Sequence, residues 1–115
     1  MEYSDIRELC ERYPRQAGSF FQAYSDLKFS QKWLDIEAVD LAKARRLVIK
    51  GRKDANEPLR IVAPCSLGES LSIQWLNAIF EEVSPSPMEI YLGITSDDSS
   101  IVYYRLSKGM VKPPL

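Results

Sequence analysis

The sequence predicts a single α+β domain in which helices flank a mixed β-sheet, with the elements in the order α-α-β-β-β-α-β-β. Three stretches repeat apolar residues at helical spacing, four alternate apolar and polar residues, and a fifth strand-like stretch is apolar on both faces. Helices and strands in this order are typical of a sheet covered by helices. The length of 115 residues fits one domain that buries roughly two thirds of its unfolded surface. We expect a core over about residues 14–107 and a C-terminal tail at 108–115.

Two helices are predicted first. Ser4 or Asp5 can cap the start of helix one, whose buried face is formed by residues at helical spacing, namely Ile6, Leu9, Cys10 and Tyr13. Pro14 interrupts this helix and can open the second, about Pro14–Phe29, because the first helical position needs no N–H. The apolar face of the second helix consists of Ala17, Phe20, Phe21, Tyr24 and Leu27.

Three strands follow. Leu34 and Ile36 alternate with acidic residues in the first, and the alternation slips at Ala38-Val39, which indicates a bulge there. The second strand is centred on Leu47 and Ile49, and a polar turn at Gly51–Glu57 follows it. The third strand contains Leu59, Ile61 and Ala63, and we expect Pro64 to end it.

A third helix and two strands complete the domain. A capping-box spacing at Ser66–Glu69 or a cap at Ser70 precedes the helix, whose apolar stripe is Leu76, Ile79, Phe80 and Val83. Ser84–Pro87 breaks it, and the fourth strand alternates through Met88, Ile90, Leu92 and Ile94. An acidic loop, Ser96–Ser99, leads into the last strand, Ile101–Leu106. We expect this strand to end at Lys108-Gly109, and Pro113-Pro114 excludes a further helix or central strand.

Composition excludes several classes of function. The net charge is −1 and histidine is absent, which removes the commonest general base and transition-metal ligand. Cys10 and Cys65 form no CxxC pair, so we expect packing residues in a reduced, intracellular protein. The acidic N-terminal residues do not predict a secretory signal, and no stretch approaches the ~20 apolar residues of a membrane span. We expect no cofactor and no metal, although Asp97 and Asp98 are unspecific Mg²⁺ candidates.

Two binding surfaces stand out. One is a basic run that could contact RNA phosphates or be a solvated strand face, and its residues are Lys43, Arg45, Arg46, Lys50, Arg52 and Lys53. The other is the last strand, which needs two partners because it is apolar on both faces. Tyr103 and Tyr104 point to opposite faces there, so one belongs to the core and the other to the core or an interface.

Several segments together resemble one family. They are Phe20–Leu27 with Lys32-Trp33, Ile61–Pro64 with Ser70–Ser72, Asp97–Leu106, and Gly109–Pro113. In order and spacing they are similar to the smallest, non-catalytic subunit of the eukaryotic tRNA-splicing endonuclease, the fifteen-type Sen subunit. The resemblance covers roughly Ala17–Pro114.

This resemblance implies the fold of the archaeal tRNA-intron endonuclease catalytic domain and a structural role in a four-subunit enzyme acting on precursor tRNA. It implies a docking loop at Asp97, Asp98 and Ser99 that enters a basic pocket on a catalytic subunit of the other pair. It implies a strand that pairs with one catalytic subunit, formed by Ile101, Val102, Tyr103 and Tyr104. It also implies a nuclear location, or the cytosolic face of the mitochondrial outer membrane in some fungi.

Catalytic relatives use a Tyr, a His and a Lys, of which the His does not exist here and the Lys position, Ser84–Met88, has no base. Metal-free RNA cleavage needs a base and an acid worth roughly 10²–10⁴ in rate each. We therefore expect a structural subunit that is not an enzyme. Because unpaired apolar strand edges associate, we also expect the isolated chain to form a homodimer. The alternatives are an RNA-backbone-binding module that uses Lys43–Lys53, and a stand-alone nuclease.

Overall fold

A computed structural model describes residues 3–68, 73–83 and 88–107. It confirms the α+β class and the predicted order of elements. The helices are α1 (Tyr3–Arg12), α2 (Ala17–Ser25), which continues into a π-helical turn (Asp26–Ser30), and α3 (Ile73–Glu82). The strands are β1 (Leu34–Leu41), β2 (Arg46–Arg52), β3 (Arg60–Ser66), β4 (Glu89–Thr95) and β5 (Ile101–Ser107). No helix in these described ranges is long and apolar enough to cross a membrane.

The five strands form one mixed sheet in the order β1-β2-β3-β4-β5. The pairs β1/β2, β2/β3 and β4/β5 are antiparallel, and β3/β4 is parallel. A parallel pair needs a crossover connection, and α3 lies within it. Consequently β1 and β5 are the two edges of the sheet.

A hydrophobic core lies on each face of the sheet. The α2-side core packs α1 and α2 against the sheet, and it consists of Ile6, Phe20, Ala23, Tyr24, Leu27, Ala38, Leu47, Ile49 and Val62. The α3-side core consists of Leu41, Val48, Ile61, Ala63, Cys65, Leu76, Ile79, Phe80, Ile90 and Leu92. Alternate residues of the central strands enter opposite cores, as the period of two requires.

Pro64 does not end the third strand, contrary to the sequence expectation, because β3 continues to Ser66 and Pro64 pairs with Gly93 of β4. The β2/β3 ladder extends only from Ile49↔Val62 to Gly51↔Arg60, so it stops before Pro64. The Pro64 carbonyl accepts hydrogen bonds from the side chains of Gln16 and Arg46 instead. A proline is tolerated here because β2 does not pair with β3 at this position, so the missing N–H breaks no ladder hydrogen bond with β2.

The irregularity in β1 also differs from its predicted position. The register with β2 shifts between Leu34 and Glu37 rather than at Ala38-Val39, and Asp35 has a φ of 54°. The predicted features at Glu69, Ser70, Ser84–Pro87, Lys108-Gly109 and Pro113-Pro114 lie outside the described residues, and so does the tail. The capping side chains of Ser4 and Asp5 are likewise outside what is described.

Candidate subunit interface

The edge strand β5 is the predicted pairing strand, and its geometry is regular. It pairs with β4 in continuous register from Thr95↔Ile101 to Glu89↔Ser107. Its other side faces no strand within residues 3–68, 73–83 and 88–107. An edge of this kind presents a row of backbone N–H and C=O groups that another strand can bind.

The two tyrosines of β5 have different surroundings. Tyr103 packs on the α2-side core, and its hydroxyl donates a hydrogen bond to Asp26 Oδ2 at 2.7 Å. Burial, then this hydrogen bond and the Asp26 charge, raise the pKa of Tyr103 well above its ordinary value. Its ring lies over Gly93, where an added Cβ would come within 3.1 Å of Tyr103 Cε1. Tyr103 is therefore a core residue.

The opposite face of β5 is open. Tyr104 is 53% exposed and Val102 is 48% exposed. They pair with Leu92 and Ile94 of β4, which belong to or pack against the α3-side core. On β5 that core is extended only by Leu106. We call Val102 and Tyr104 the open face of β5, and an apolar surface beside a free strand edge is where a partner can bind.

The acidic loop before β5 is a closed turn. Ser96 N–H donates to Ser100 O and Ser99 N–H donates to Ser96 O, both at 3.0 Å. Ser99 adopts a left-handed backbone conformation with φ 69°. Gln22 Nε2 on α2 donates to Ser100 O at 3.4 Å and links the turn to the helix. The loop is thereby held at the start of β5.

The two aspartates of this loop do different things. Asp98 Oδ1 accepts the Ser100 hydroxyl at 2.6 Å and the Ser100 N–H at 3.0 Å. These bonds, the side-chain one first, lower the pKa of Asp98, so its negative charge persists to lower pH. Asp97 is exposed beside it. Asp98 therefore shapes the turn, whereas Asp97 only presents its charge to solvent.

Leu67 adds an exposed apolar side chain at the same end of the sheet. Its N–H donates to Thr95 O at 2.8 Å, and its residue is 69% exposed. Thr95 pairs with Ile101 at the start of β5. The loop, the open face and Leu67 therefore cluster around one corner of the sheet. The sequence showed no reason to single out Leu67, because its placement depends on the β3/β4 pairing.

The predicted RNA-contacting residues are not gathered into one patch. Lys43 and Arg45 lie in the β1–β2 turn, and Lys53 lies beyond the far end of β2, about 20 Å away for a strand of this length. Arg46 is buried, with its guanidinium 4.0 Å from the centre of the Trp75 ring. Arg52 Nε is 2.9 Å from Asp35 Oδ2, and Lys50 is half-buried in β2.

No catalytic or metal arrangement emerges in the described part of the chain. It contains no group of three or more Asp, Glu, Cys or His side chains that could hold a metal. Burial raises the pKa of the Cys10 thiol, which keeps it protonated, and Cys65 is fully buried in the α3-side core. Neither thiol has the character of a nucleophile, because thiolate is the reactive form.

One buried side chain that no sequence pattern singles out bridges strands β2 and β3. Gln16, which is 4% exposed, donates through Nε2 to Leu47 O at 2.7 Å and to Pro64 O at 3.2 Å. Its Oε1 accepts the Leu47 N–H at 2.7 Å. It thus replaces the missing part of the β2/β3 ladder, and no local sequence pattern signals a contact 31 residues away.

Comparison with known proteins adds independent findings. The family described as Sen15 protein matches residues 22–114. The human tRNA-splicing endonuclease subunit Sen15 is 30% identical over 97% of this chain and 69% of the human protein. The mouse protein of that name is 29% identical over 97% of this chain and 70% of its own length. The probable subunit sen15 of Schizosaccharomyces pombe is 29% identical over 77% of this chain and 76% of the yeast protein.

Proposed function

This chain belongs to the Sen15 family, and we propose that it is a structural, non-catalytic subunit of a tRNA-splicing endonuclease that pairs with a catalytic subunit through β5. The names of its relatives support membership of that enzyme. The proposal about β5 depends on one observation, the free strand edge with Val102 and Tyr104 exposed beside it.

The affinity has to come mainly from main-chain pairing and apolar burial. Burial of apolar surface contributes about 25 cal/mol per Å² before the costs of association, and a durable interface buries at least ~1,200 Å² in total. Two half-exposed side chains cannot supply that area alone. The partner therefore covers the length of β5, the open face and the neighbouring Leu67, which is also exposed.

The acidic loop serves to orient a further subunit. Solvent-exposed ion pairs contribute about 0–1 kcal/mol each, which is too little to hold an assembly but enough to steer encounter and fix orientation. The hydrogen bonds of Ser96, Ser99 and Ser100 hold the loop in one shape. A basic pocket on a catalytic subunit of the other pair is the complementary surface.

The side chains available support the proposed non-catalytic role. No histidine exists in the chain, and the tyrosine on the inner face of β5, Tyr103, has a raised pKa and donates to Asp26. A tyrosine that holds its proton more tightly than usual is a poor base at neutral pH. We expect the isolated chain to leave intron-containing precursor tRNA uncut, and we propose that it acts where the assembled enzyme does, in the nucleus or on the mitochondrial surface.

Co-expression with each candidate catalytic subunit and affinity purification through this chain tests the proposal. We expect one catalytic subunit to co-purify with a one-to-one stoichiometry. The variant Val102→Asp should abolish its capture, because the carboxylate would be desolvated next to the free edge. Leu34→Asp is the matched control, since Leu34 is 44% exposed at the other edge strand, β1.

Equal capture by Val102→Asp and the unaltered chain would refute pairing through β5. Capture of no catalytic subunit at all would refute the assignment as a structural subunit. Isolated, the chain should self-associate through the same edge. Light scattering at high concentration should then give a dimer mass for the unaltered chain and a monomer mass for Val102→Asp.

A further inference from the structure

A surface cleft of about 350 Å³ lies where the α1–α2 connection meets the β1–β2 turn, and four arginines line it. Arg12 and Arg15 come from the first segment, and Arg45 and Arg46 from the second. We call these four residues the arginine cleft. Its volume lies at the lower end of the ~300–1,000 Å³ range of ligand pockets. The convergence of four guanidinium groups from distant segments makes it a candidate anion site.

Two of the four arginines are fixed in place by the fold. Arg12 Nη1 is 2.6 Å from Asp40 Oδ2, and the Tyr13 hydroxyl donates to the other oxygen of the same carboxylate. Arg46 donates to Pro64 O at 3.1 Å while its guanidinium stacks on Trp75. These contacts restrict the side chains before any ligand arrives, which lowers the entropy cost of binding.

The other two arginines point their charge at solvent. Arg15 and Arg45 are exposed, and their side chains make no hydrogen bond or ion pair with the described part of the chain. Arg45 also has a left-handed backbone with φ 56°, a conformation that costs an ordinary residue about 1–3 kcal/mol and is concentrated at functional sites. Their guanidinium groups are therefore available for a ligand.

The balance of charge in the cleft is positive. Among the described residues, Asp40 pairs with Arg12, and Glu82 accepts the N–H groups of Lys43 and Ala44 in the β1–β2 turn. The hydrogen bond to Asp40 raises the pKa of Tyr13, so its hydroxyl stays neutral. The first turn of α2, next to the cleft, carries no acidic residue. Within the described residues no carboxylate pairs with Arg15 or Arg45, so these two guanidinium groups favour an anion.

We propose that the arginine cleft binds the sugar-phosphate backbone of precursor tRNA when the chain is part of the assembled endonuclease. This inference rests on the proposed function, because membership of that enzyme brings RNA to the chain. Arginine forks suit phosphate oxygens, and backbone contacts position RNA without reading its sequence. The cleft adjoins β2, three strand spacings of about 4.8 Å from β5.

The test is a salt titration of precursor-tRNA binding by the complex reconstituted with its partner subunits. The variant Arg15→Gln with Arg45→Asn removes two charges, and asparagine tolerates the left-handed backbone at position 45. Each lost phosphate contact reduces the slope of log K against log salt by about 0.7–0.9. We expect the double variant to lower the slope by about 1.4–1.8 and the charge-retaining Arg15→Lys with Arg45→Lys to restore it.

The control is Lys32→Asn with Lys53→Gln, which removes the same charge from exposed positions at the far end of the β1–β2 hairpin. Lys32 also has a left-handed backbone, φ 55°, so the two double variants are matched in conformation as well. The control should leave the slope unchanged. An unchanged slope in the cleft variant, or an equal reduction in the control, would overturn the proposal that the arginine cleft binds RNA.

Subunit content is measured in the same preparations. Failure of the unaltered chain to enter any complex would refute the proposed function, whereas the salt slopes test RNA binding by the arginine cleft. Loss of a subunit from the cleft variant alone, with the RNA slope of the remaining complex unchanged, would show that the cleft binds an acidic protein surface. That result overturns the RNA assignment.

Discussion

The two edges of the sheet, β1 and β5, are built in opposite ways. Along β1 the sequence places Asp35 and Glu37, the register with β2 shifts between Leu34 and Glu37, and Asp35 has a left-handed backbone. Along β5 the register with β4 is continuous over seven residues, and apolar side chains are exposed. Charges and irregular pairing are devices that protect an edge from association. β1 has both, whereas β5 pairs regularly and carries one charged residue, Arg105, which is ion-paired with Glu89 of the neighbouring strand β4.

The difference between the two edges supports the proposal that the openness of β5 is a functional feature. An exposed apolar edge is an aggregation hazard for a protein that works alone, and the same chain shows at β1 how such an edge is blunted. The negative charge next to β5 lies in the preceding loop, at Asp97 and Asp98, where it does not obstruct strand pairing. This contrast is the structural argument for a partner at β5.

The largest effect is expected from placing a charge on the open face of β5. Tyr104→Asp should weaken binding of the catalytic subunit by about 2 kcal/mol or more, roughly 30-fold, because tyrosines at interface centres often contribute this much. The measurement is the dissociation constant by isothermal titration or surface-based binding. The Tyr104→Asp substitution would give β5 a charge on its exposed face and so make this edge resemble β1.

Leu34→Asp on β1 is the counterpart, since its exposure of 44% is close to the 53% of Tyr104. We expect less than a threefold change in the dissociation constant. If both variants bound equally well, the contrast between the two edges would have no bearing on assembly. If Leu34→Asp were the damaging one, the partner would bind β1 instead.

A smaller effect, on the free energy of unfolding, should distinguish the inner face of β5 from the open face. Tyr103→Phe removes only the hydroxyl that donates to Asp26, and it should lower the free energy of unfolding by about 1–2 kcal/mol. Tyr104→Phe is the same chemical change at an exposed side chain and should stay within about 0.5 kcal/mol. Urea unfolding measures both. Equal losses would mean that the tyrosines do not divide into core and interface.

The raised pKa of Tyr103 predicts a pH dependence with a definite sign. An unfolded tyrosine ionises near pH 10, whereas burial and Asp26 keep Tyr103 protonated to higher pH. Its stabilising contribution is complete below about pH 10 and is lost as pH rises further, by at most about 1.4 kcal/mol per pH unit. Thermal melts between pH 8 and 11 should show a flatter decline for Tyr103→Phe. Parallel curves would contradict this account.

How far the sequence predicted the molecule is clear from particular residues. The helical and strand periods identified the elements, because periodicity records which side chains are buried. They did not predict that Tyr103, rather than Tyr104, faces the core. That outcome depends on tertiary contacts, among them the hydrogen bond to Asp26 in the π-helical turn, 77 residues away in the chain.

Long-range contacts also explain why Pro64 and the basic run at Lys43–Lys53 differ from the sequence expectation. A proline normally ends a central strand, but here the β2/β3 ladder stops before Pro64, and Gln16 and Arg46 donate to its carbonyl from outside the ladder. The basic run at Lys43–Lys53 looked continuous in sequence, yet the fold separates its two ends and brings Arg12 and Arg15 to one of them. Long-range side-chain contacts carry no local signature, so patterns alone could not reveal them.

The smallest effect is expected from the acidic loop that distinguishes the approach to β5. Asp97→Asn and Asp98→Asn should each slow association with the subunit of the other pair by roughly two- to fivefold at low salt, because loop charges act mainly on encounter. Asparagine keeps an oxygen for Ser100, so the turn survives in Asp98→Asn. Stopped-flow mixing at two salt concentrations measures the rates, and the difference should shrink at high salt.

Asp98→Ala separates shape from charge, because it removes the acceptor for both Ser100 bonds as well as the charge. Asp98→Ala should therefore slow association more than Asp98→Asn does, and the slowing should persist at high salt. At position 97, by contrast, alanine and asparagine should slow association equally. Glu37→Gln removes the same charge from the β1 edge and should leave the rate unchanged. If Glu37→Gln slowed association as much as Asp97→Asn, the effect would reflect net charge, and the loop would have no orienting role of its own.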